Sequence, residues 1–256
     1  MKFVVTVILL CLLFSTWVNK GMSQRKQGHL KQPVLLGKSL KDINGKAINA
    51  HGAGILYYGD TYFMYGEIKS GKTWLVPNQN WEDYRVPAGG VSCYSSKDLI
   101  NWKYEGIALA PLKSDTTYDL DTGGVIERPK VIFNNATKKF VMWLHIDAND
   151  YSYSQAGVAV SDTPTGPYTY LGSVKPNGQM VRDMTLYKDY DQKAYLIYSS
   201  ENNRTMQICL LSDDYLSPTK TFTRITSTTN REAPGIFHYK NKYYLITSGC
   251  TGWSPN

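Results

Sequence analysis

The stretch Gly54–Tyr65 reads GILYYGDTYFMY, two runs of aromatic and apolar residues on either side of the dipeptide Gly59-Asp60. Such runs form strands, and a Gly-Asp pair between them closes a tight turn, so the stretch predicts a β-hairpin. No helical periodicity is sustained along the chain, which predicts an all-β protein. The same hairpin plan returns at residues 129–143, 184–198 and 234–247.

Each of the first three hairpins is followed by a second pair of short β-rich runs. We predict third strands at 91–96, 157–161 and 208–212, and fourth strands at 102–104, 167–170 and 222–225. Four strands per unit, repeated at about 50 to 75 residues, are typical of β-propeller blades. The all-β alternative is a sandwich, which does not repeat a four-strand unit three times.

The fourth unit begins near Glu232, and the sequence ends at Asn256 after one hairpin. A blade needs about four strands, so we expect about three and a half blades of a larger ring whose C-terminal part is missing.

Composition excludes several classes of protein. Charged residues make up 19% and hydrophobic residues 42% of the 256 residues, which is typical of a globular chain. The net charge is +7, but the basic residues are scattered, so we expect no nucleic-acid partner. The cysteines match no zinc pattern, and we expect neither a metal nor a cofactor.

The first residues have the pattern of a secretory leader. Lys2 precedes the apolar run Phe3–Val18, and Gly21-Met22-Ser23 offers small residues for a signal peptidase. We predict a signal peptide at residues 1–23 and a catalytic propeller at 24–256; the alternative is a retained N-terminal anchor. The mature chain is then a secreted or periplasmic monomer without stable membrane insertion.

Acidic residues occupy equivalent places in three successive units. The first strand of a propeller blade lines the central channel, and three or four residues before the middle of that strand stand His51, Glu127, Asp183 and Glu232. Crowded carboxylates raise one another's pKa values. Glycoside hydrolysis needs such a set, with two carboxyl groups about 6.5 to 9.5 Å apart in inverting enzymes. Arg128, Arg182 and Arg231 flank the acids, so the alternative is structural ion pairing.

Four motifs, in this order, resemble glycoside hydrolase family 43: NAHGAGILYY at 49–58, ERPKVIFN at 127–134, VRDM at 181–184 and REAPG at 231–235. Within the family they are similar to the exo-β-1,3-galactanase-like branch. The resemblance implies a five-bladed propeller that acts with inversion. It implies that Glu232 is the general acid, that Asp183 tunes the pKa of that acid, and that Glu127 contacts the substrate.

One residue of the wider family's pattern is absent from this chain. Most of the wider family carries His-Asp-Pro where this chain has His51-Gly52-Ala53, and the Asp is the general base. The galactanase-like branch shares that loss, and a glutamine from a later blade is thought to replace it. We expect that blade to lie beyond Asn256, which leaves the activity of this chain open.

Further residues are candidates for sugar contacts or for the core. We predict substrate contacts for His51 and Arg128, and aromatic platforms for sugar rings at Trp74, Trp81, Tyr84 and Trp253. His145 and Asp147 are expected to form a satisfied polar pair, with a metal site as the alternative. Period-2 packing predicts core positions for Tyr57, Tyr65, Tyr187 and Tyr198.

The sequence therefore predicts an exported glycoside hydrolase that removes terminal galactose from β-1,3-galactan, a polysaccharide substrate. One alternative is a carbohydrate-binding propeller that has lost catalysis. The other is a family 43 arabinosidase or xylosidase, because composition does not distinguish among sugars.

Overall fold

The computed structural model describes residues 37–69, 86–112, 119–148 and 150–251. Residue contacts divide the chain between Lys38 and Ser39, and everything below concerns the unit that begins at Ser39. The predicted leader lies outside the described residues. No helix in the described ranges is long and apolar enough to cross a membrane.

The described residues form antiparallel sheets whose strands follow chain order. The first sheet contains β1 (His51–Tyr58), β2 (Thr61–Lys69), β3 (Ala88–Ser96) and β4 (Lys103–Leu109). The second contains β5 (Val125–Phe133), β6 (Phe140–Asp147), β7 (Gln155–Ser161) and β8 (Thr169–Val174). The third contains β9 (Met184–Lys188), β10 (Ala194–Ser200), β11 (Thr205–Leu211) and β12 (Pro218–Ile225). The hairpin of β13 (Arg231–Tyr239) and β14 (Lys242–Gly249) follows.

These sheets confirm the predicted four-strand units and the all-β class. The tight turn between β1 and β2 is formed by Gly59 and Asp60, with φ angles of 54° and 56°. Positive φ at both central residues is the geometry of a type I′ turn, whose twist suits a hairpin. Lys240 and Asn241, with φ of 46° and 58°, close the last hairpin in the same way.

Successive sheets meet through their first strands. β1 contacts β5, β5 contacts β9, and β9 contacts β13. The sheets therefore follow one another as the blades of a propeller do, with the starts of their first strands close together.

The apolar core lies between neighbouring sheets. One cluster joins the first and second sheets through residues such as Tyr65 and Met142, and another joins the second and third through Trp143 and Leu196. All eight residues of β6 are buried, because neighbouring sheets cover both of its faces. This explains why the sequence of β6 is nearly uniformly apolar instead of alternating.

The tyrosine predictions were confirmed in part. Tyr65 and Tyr198 are fully buried, as predicted. Tyr187 is half-buried, and Tyr57 is 57% exposed, so the core assignment of Tyr57 was wrong. Leu56 and Tyr58 share one face of β1, where Leu56 packs against the core and Tyr58 contacts Phe133, and Tyr57 lies on the other, outer face.

Candidate active site

The predicted acids lie at the starts of the first strands. In β1, β5 and β13 a β-bulge follows directly after His51, Glu127 and Glu232. Each bulge contains a residue with positive φ, namely Gly52 at 57°, Arg128 at 54° and Ala233 at 50°. In the third sheet, Asp183 comes directly before β9. Because bulges re-aim the side chains beside them, the repeated bulge gives the three sheets the same local geometry at this end.

Asp183 is the centre of the contacts among these strands. Arg128 of the second sheet donates two hydrogen bonds to it, from Nε at 2.8 Å and from Nη2 at 2.7 Å. The backbone N–H of Ala233, in the last hairpin, donates a third at 2.9 Å. Asp183 therefore joins three sheets. A bidentate guanidinium pair of this kind also fixes the orientation of the carboxylate.

Glu232 has the properties of a proton donor. Burial raises the pKa of its carboxyl group, and the negative charges of Asp183 and Glu127 add to the rise. A hydrogen bond from the Cys250 thiol and the charge of Arg128 oppose it without cancelling it. A carboxyl group with a raised pKa keeps its proton to higher pH, as a general acid requires.

The surroundings of Glu127 lower the pKa of its carboxyl group instead. Burial raises its pKa, but the nearby His145, Lys69 and Arg128 lower it to about 2. Its Oε2 lies 3.3 Å from His145 Nδ1, its Oε1 lies 3.5 Å from Lys69 Nζ, and the Tyr151 hydroxyl donates to Oε1 at 3.2 Å. These groups therefore favour the ionised form of Glu127, which accepts hydrogen bonds.

Glu67 belongs to the same group, although the sequence analysis did not identify it. It lies on β2 opposite His51, with its Oε1 2.5 Å from His51 Nδ1 and its Oε2 3.0 Å from Lys69 Nζ. Its side chain is 2% exposed. The available signal was a charged residue within the apolar strand Thr61–Lys69, in reach of His51 across the hairpin.

Glu67 also explains the glycine at position 52. A Cβ atom on Gly52 would lie 2.8 Å from Glu67 Oε1 and 3.2 Å from Arg128 Cδ. The backbone there has a φ of 57°, which side chains rarely adopt. Position 52 is therefore crowded by two side chains and has a backbone conformation that favours glycine.

The three arginines next to the acids in sequence make three different kinds of contact. Arg128 pairs with Asp183 rather than with its neighbour Glu127. Arg231 donates to Oγ1 and to the backbone oxygen of Thr247, at 2.8 and 3.0 Å. Arg182 lies over the Tyr151 ring, 5.0 Å from its centroid. Structural ion pairing, the alternative, is therefore observed for Asp183 with Arg128, whereas these contacts of Arg182 and Arg231 are made to other groups.

His145 and Asp147 form the expected polar pair, with His145 Nε2 2.9 Å from Asp147 Oδ2. No group of three His, Cys, Asp or Glu side chains in the described ranges is arranged to hold a metal ion. Substrate contacts by His51 and Arg128 stay predictions. Four predicted aromatic contacts lie outside the described residues: Trp74, Trp81, Tyr84 and Trp253.

A family model and solved structures both relate this chain to one family of glycoside hydrolases. Residues 49–254 match the model of glycosyl hydrolases family 43. A family 43 β-1,3-galactosidase solved with galactodeoxynojirimycin is 40% identical, with a TM-score of 0.75, over 86% of this chain and 74% of that one. A search of curated proteins found no match.

Two exo-β-1,3-galactanases are also similar. The enzyme from Phanerochaete chrysosporium, solved with galactose, is 39% identical with a TM-score of 0.77, over 88% of this chain and 49% of that one. The enzyme from Clostridium thermocellum is 36% identical with a TM-score of 0.76, over 87% of this chain and 47% of that one. The chain thus spans about half the length of these two galactanases.

Proposed function

Because the chain belongs to glycosyl hydrolases family 43, we propose that it removes terminal galactose from β-1,3-linked galactan with inversion at the anomeric carbon. Its similarity to β-1,3-galactosidases and exo-β-1,3-galactanases supports this substrate. We further propose that the sheets are blades of a five-bladed propeller. Export is supported by the leader pattern at residues 1–23.

One feature of the site carries the proposal: the surroundings of two carboxyl groups shift their pKa values in opposite directions. The pKa of Glu232 is raised by burial and by Asp183, whereas that of Glu127 is lowered to about 2. Titratable groups whose environments separate their pKa values mark the acid and base assignments of an active site. Glu232 is then the acid that protonates the oxygen of the leaving sugar.

Asp183 and Arg128 set the strength of that acid. The Asp183 charge favours the protonated form of Glu232, and the Arg128 charge limits the effect. Their bidentate contact fixes the positions of the two charges relative to each other. Glu127, whose surroundings favour the carboxylate form, accepts hydrogen bonds from sugar hydroxyl groups and so orients the terminal galactose.

The general base that activates the attacking water is a group other than residue 52. Glu67 and Arg128 occupy the space that a side chain would need there. An inverting reaction still requires a group that activates water on the opposite face of the sugar. In the branch that this chain resembles, a glutamine is thought to have that role.

The proposal is tested by the sugar that the protein releases. We expect free galactose from β-1,3-galactobiose and β-1,3-galactotriose, and no release of pentose from xylobiose or from an aryl arabinofuranoside. Release of arabinose or xylose instead would assign the chain to another branch of the family. Binding of galactobiose without any hydrolysis would favour the carbohydrate-binding alternative.

A further inference from the structure

A line of three buried side chains leads away from the candidate site. Glu127 Oε2 lies 3.3 Å from His145 Nδ1, and His145 Nε2 lies 2.9 Å from Asp147 Oδ2. The exposed fractions of the side chains fall from 17% for Glu127 to 1% for His145 and 0% for Asp147. Of these three side chains only that of Glu127 reaches the surface, and the buried imidazole lies between two carboxylates.

The inner carboxylate is fixed by the backbone. Asp147 Oδ1 accepts N–H groups from Ala148 at 2.9 Å, Tyr153 at 2.9 Å and Ser154 at 2.7 Å. The Ser154 hydroxyl donates to Oδ2 at 2.9 Å. With all these donors, Asp147 remains an anion, and its hydrogen bonds place the segment that follows β6.

The same segment carries a second contact to Glu127. Tyr151 stacks on His145, with ring centroids 5.9 Å apart and an angle of 17° between the planes. Its hydroxyl donates to Glu127 at 3.2 Å. Asp147 thus orients Glu127 by two routes, through the imidazole and through the segment that holds Tyr151.

The charges around this line favour a cationic imidazole. His145 faces Glu127 from β5, Asp147 on its own strand and Tyr151 from the following segment. Beyond Glu127 stand Lys69 and Arg128, and Glu67 pairs with Lys69. Burial lowers the pKa of His145, but its hydrogen bond to Asp147 and the nearby carboxylates of Asp147 and Glu127 raise it to about 9.

We propose that His145 is a positioning residue for the hydrolysis proposed above: as an imidazolium fixed by Asp147, it keeps the Glu127 carboxylate ionised and oriented toward the sugar. The proposal rests on the proposed function. Its consequence is that the pKa values of the two carboxyl groups are moved apart, that of Glu232 upward and that of Glu127 downward. Without the cation, Lys69 and Arg128 alone would oppose the effect of burial, and the pKa of Glu127 would rise toward that of Glu232.

The protonation of His145 is measured directly, without any substrate. Long-range ¹H–¹⁵N spectra of the ¹⁵N-labelled protein report the four histidines His29, His51, His145 and His238. We expect one imidazole to stay doubly protonated at pH 8, and its signal to be absent from His145→Gln. In Asp147→Asn this imidazole should lose its proton at a pH at least one unit lower.

The effect on the reaction is measured by separating kcat from KM. Glutamine at position 145 can still donate a hydrogen bond but carries no charge. Since hydrogen bonds to charged groups are stronger than neutral ones, we expect KM for β-1,3-galactobiose to rise about tenfold or more in His145→Gln. The kcat should change by less than about threefold, and KM should rise further as the pH falls below 5. The matched control, His238→Gln, alters an imidazole on β13 near the opposite end of that strand and should leave both constants unchanged.

Two results would overturn the proposal. One is a wild-type spectrum in which every imidazole is neutral at pH 8. The other is a His145→Gln variant whose KM matches that of the control at every pH. If His145→Gln does not fold, the spectrum of the unaltered protein decides. If the unaltered protein releases no galactose, the proposed function fails, while the spectrum still tests the state of His145.

Discussion

The pair of Arg128 and Asp183 allows a quantitative test of how the sheets are held together. Arg128→Met removes both hydrogen bonds, at 2.8 and 2.7 Å, while an unbranched side chain still fills the space of the arginine stem. Breaking a buried ion pair costs about 3 to 5 kcal/mol. The Arg128 side chain is 30% exposed and that of Asp183 14%, so solvent reduces the expected loss of unfolding free energy to about 2 to 4 kcal/mol.

Thermal unfolding measures this loss. For a domain of this size, one kcal/mol shifts the melting temperature by about 2 to 4 °C, so we expect a decrease of about 5 to 15 °C. The matched control is Arg224→Met, because Arg224 contacts Glu201 at 2.6 Å with side chains that are 51% and 27% exposed. An exposed pair contributes at most about 1 kcal/mol, or about 4 °C.

The same variant should change the pH dependence of the reaction. The Arg128 charge lowers the pKa of Glu232, so its removal raises that pKa further. Glu232 must be protonated to act, and its activity is lost as the pH rises through its pKa. The alkaline limb of kcat/KM should therefore move to higher pH. A decrease of no more than about 4 °C, the range expected for the control, would refute the structural role of this pair.

Three further substitutions test the site. Glu232→Gln removes the transferable proton and should lower kcat on β-1,3-galactobiose by a factor of about 10² to 10⁴ with little change in binding. Cys250→Ala removes a hydrogen bond that lowers the pKa of Glu232, so the alkaline limb of kcat/KM should again move to higher pH. Gly52→Ala places a Cβ atom against Glu67 at positive φ and should cost about 2 to 4 kcal/mol in thermal unfolding. Gly59→Ala has a similar φ but open space around it, and should cost about 1 kcal/mol.

Each of these expectations has an opposing result. An unchanged rate in Glu232→Gln would remove that residue from the mechanism. A limb that moves to lower pH in Cys250→Ala would mean that the thiol does not donate to the acid. Equal stability losses in Gly52→Ala and Gly59→Ala would show that the crowding at position 52 has no energetic effect.

The sequence predicts the sheets well because turns and strands have local signals. The Gly59-Asp60 pair and the runs around it place the first hairpin correctly, and the repeat of that pattern places the others. Strand ends are less well predicted. The predicted strand 102–104 corresponds to β4 at Lys103–Leu109, which runs on through residues with weaker strand preference.

Contacts across the strands were harder to predict, because each bulge shifts the register by one residue. Counting from Tyr58 opposite Thr61, His51 would face Ile68, but the bulge after His51 places Glu67 there instead. The bulge after Glu127 likewise brings His145 opposite it instead of Ile146. A one-residue shift exchanges the two faces of a strand, so an unmarked bulge hid the partners of His51 and Glu127.

The outer face of β1 shows a second limit of prediction from sequence. Ile55 and Tyr57 are as apolar as the residues that alternate with them, yet both are more than half exposed. Alternation distinguishes the faces of a strand only when one of them is polar. The sequence of β1 therefore did not show which face is buried.

The most direct test of the proposed reaction is the anomer of the first galactose released from β-1,3-galactobiose, followed by proton NMR before mutarotation. Inversion at a β-linked sugar predicts α-galactose as the first product. Initial release of β-galactose would indicate a retaining mechanism with carboxyl groups about 5 Å apart, and would contradict the assignment of Glu232 as the acid of an inverting enzyme.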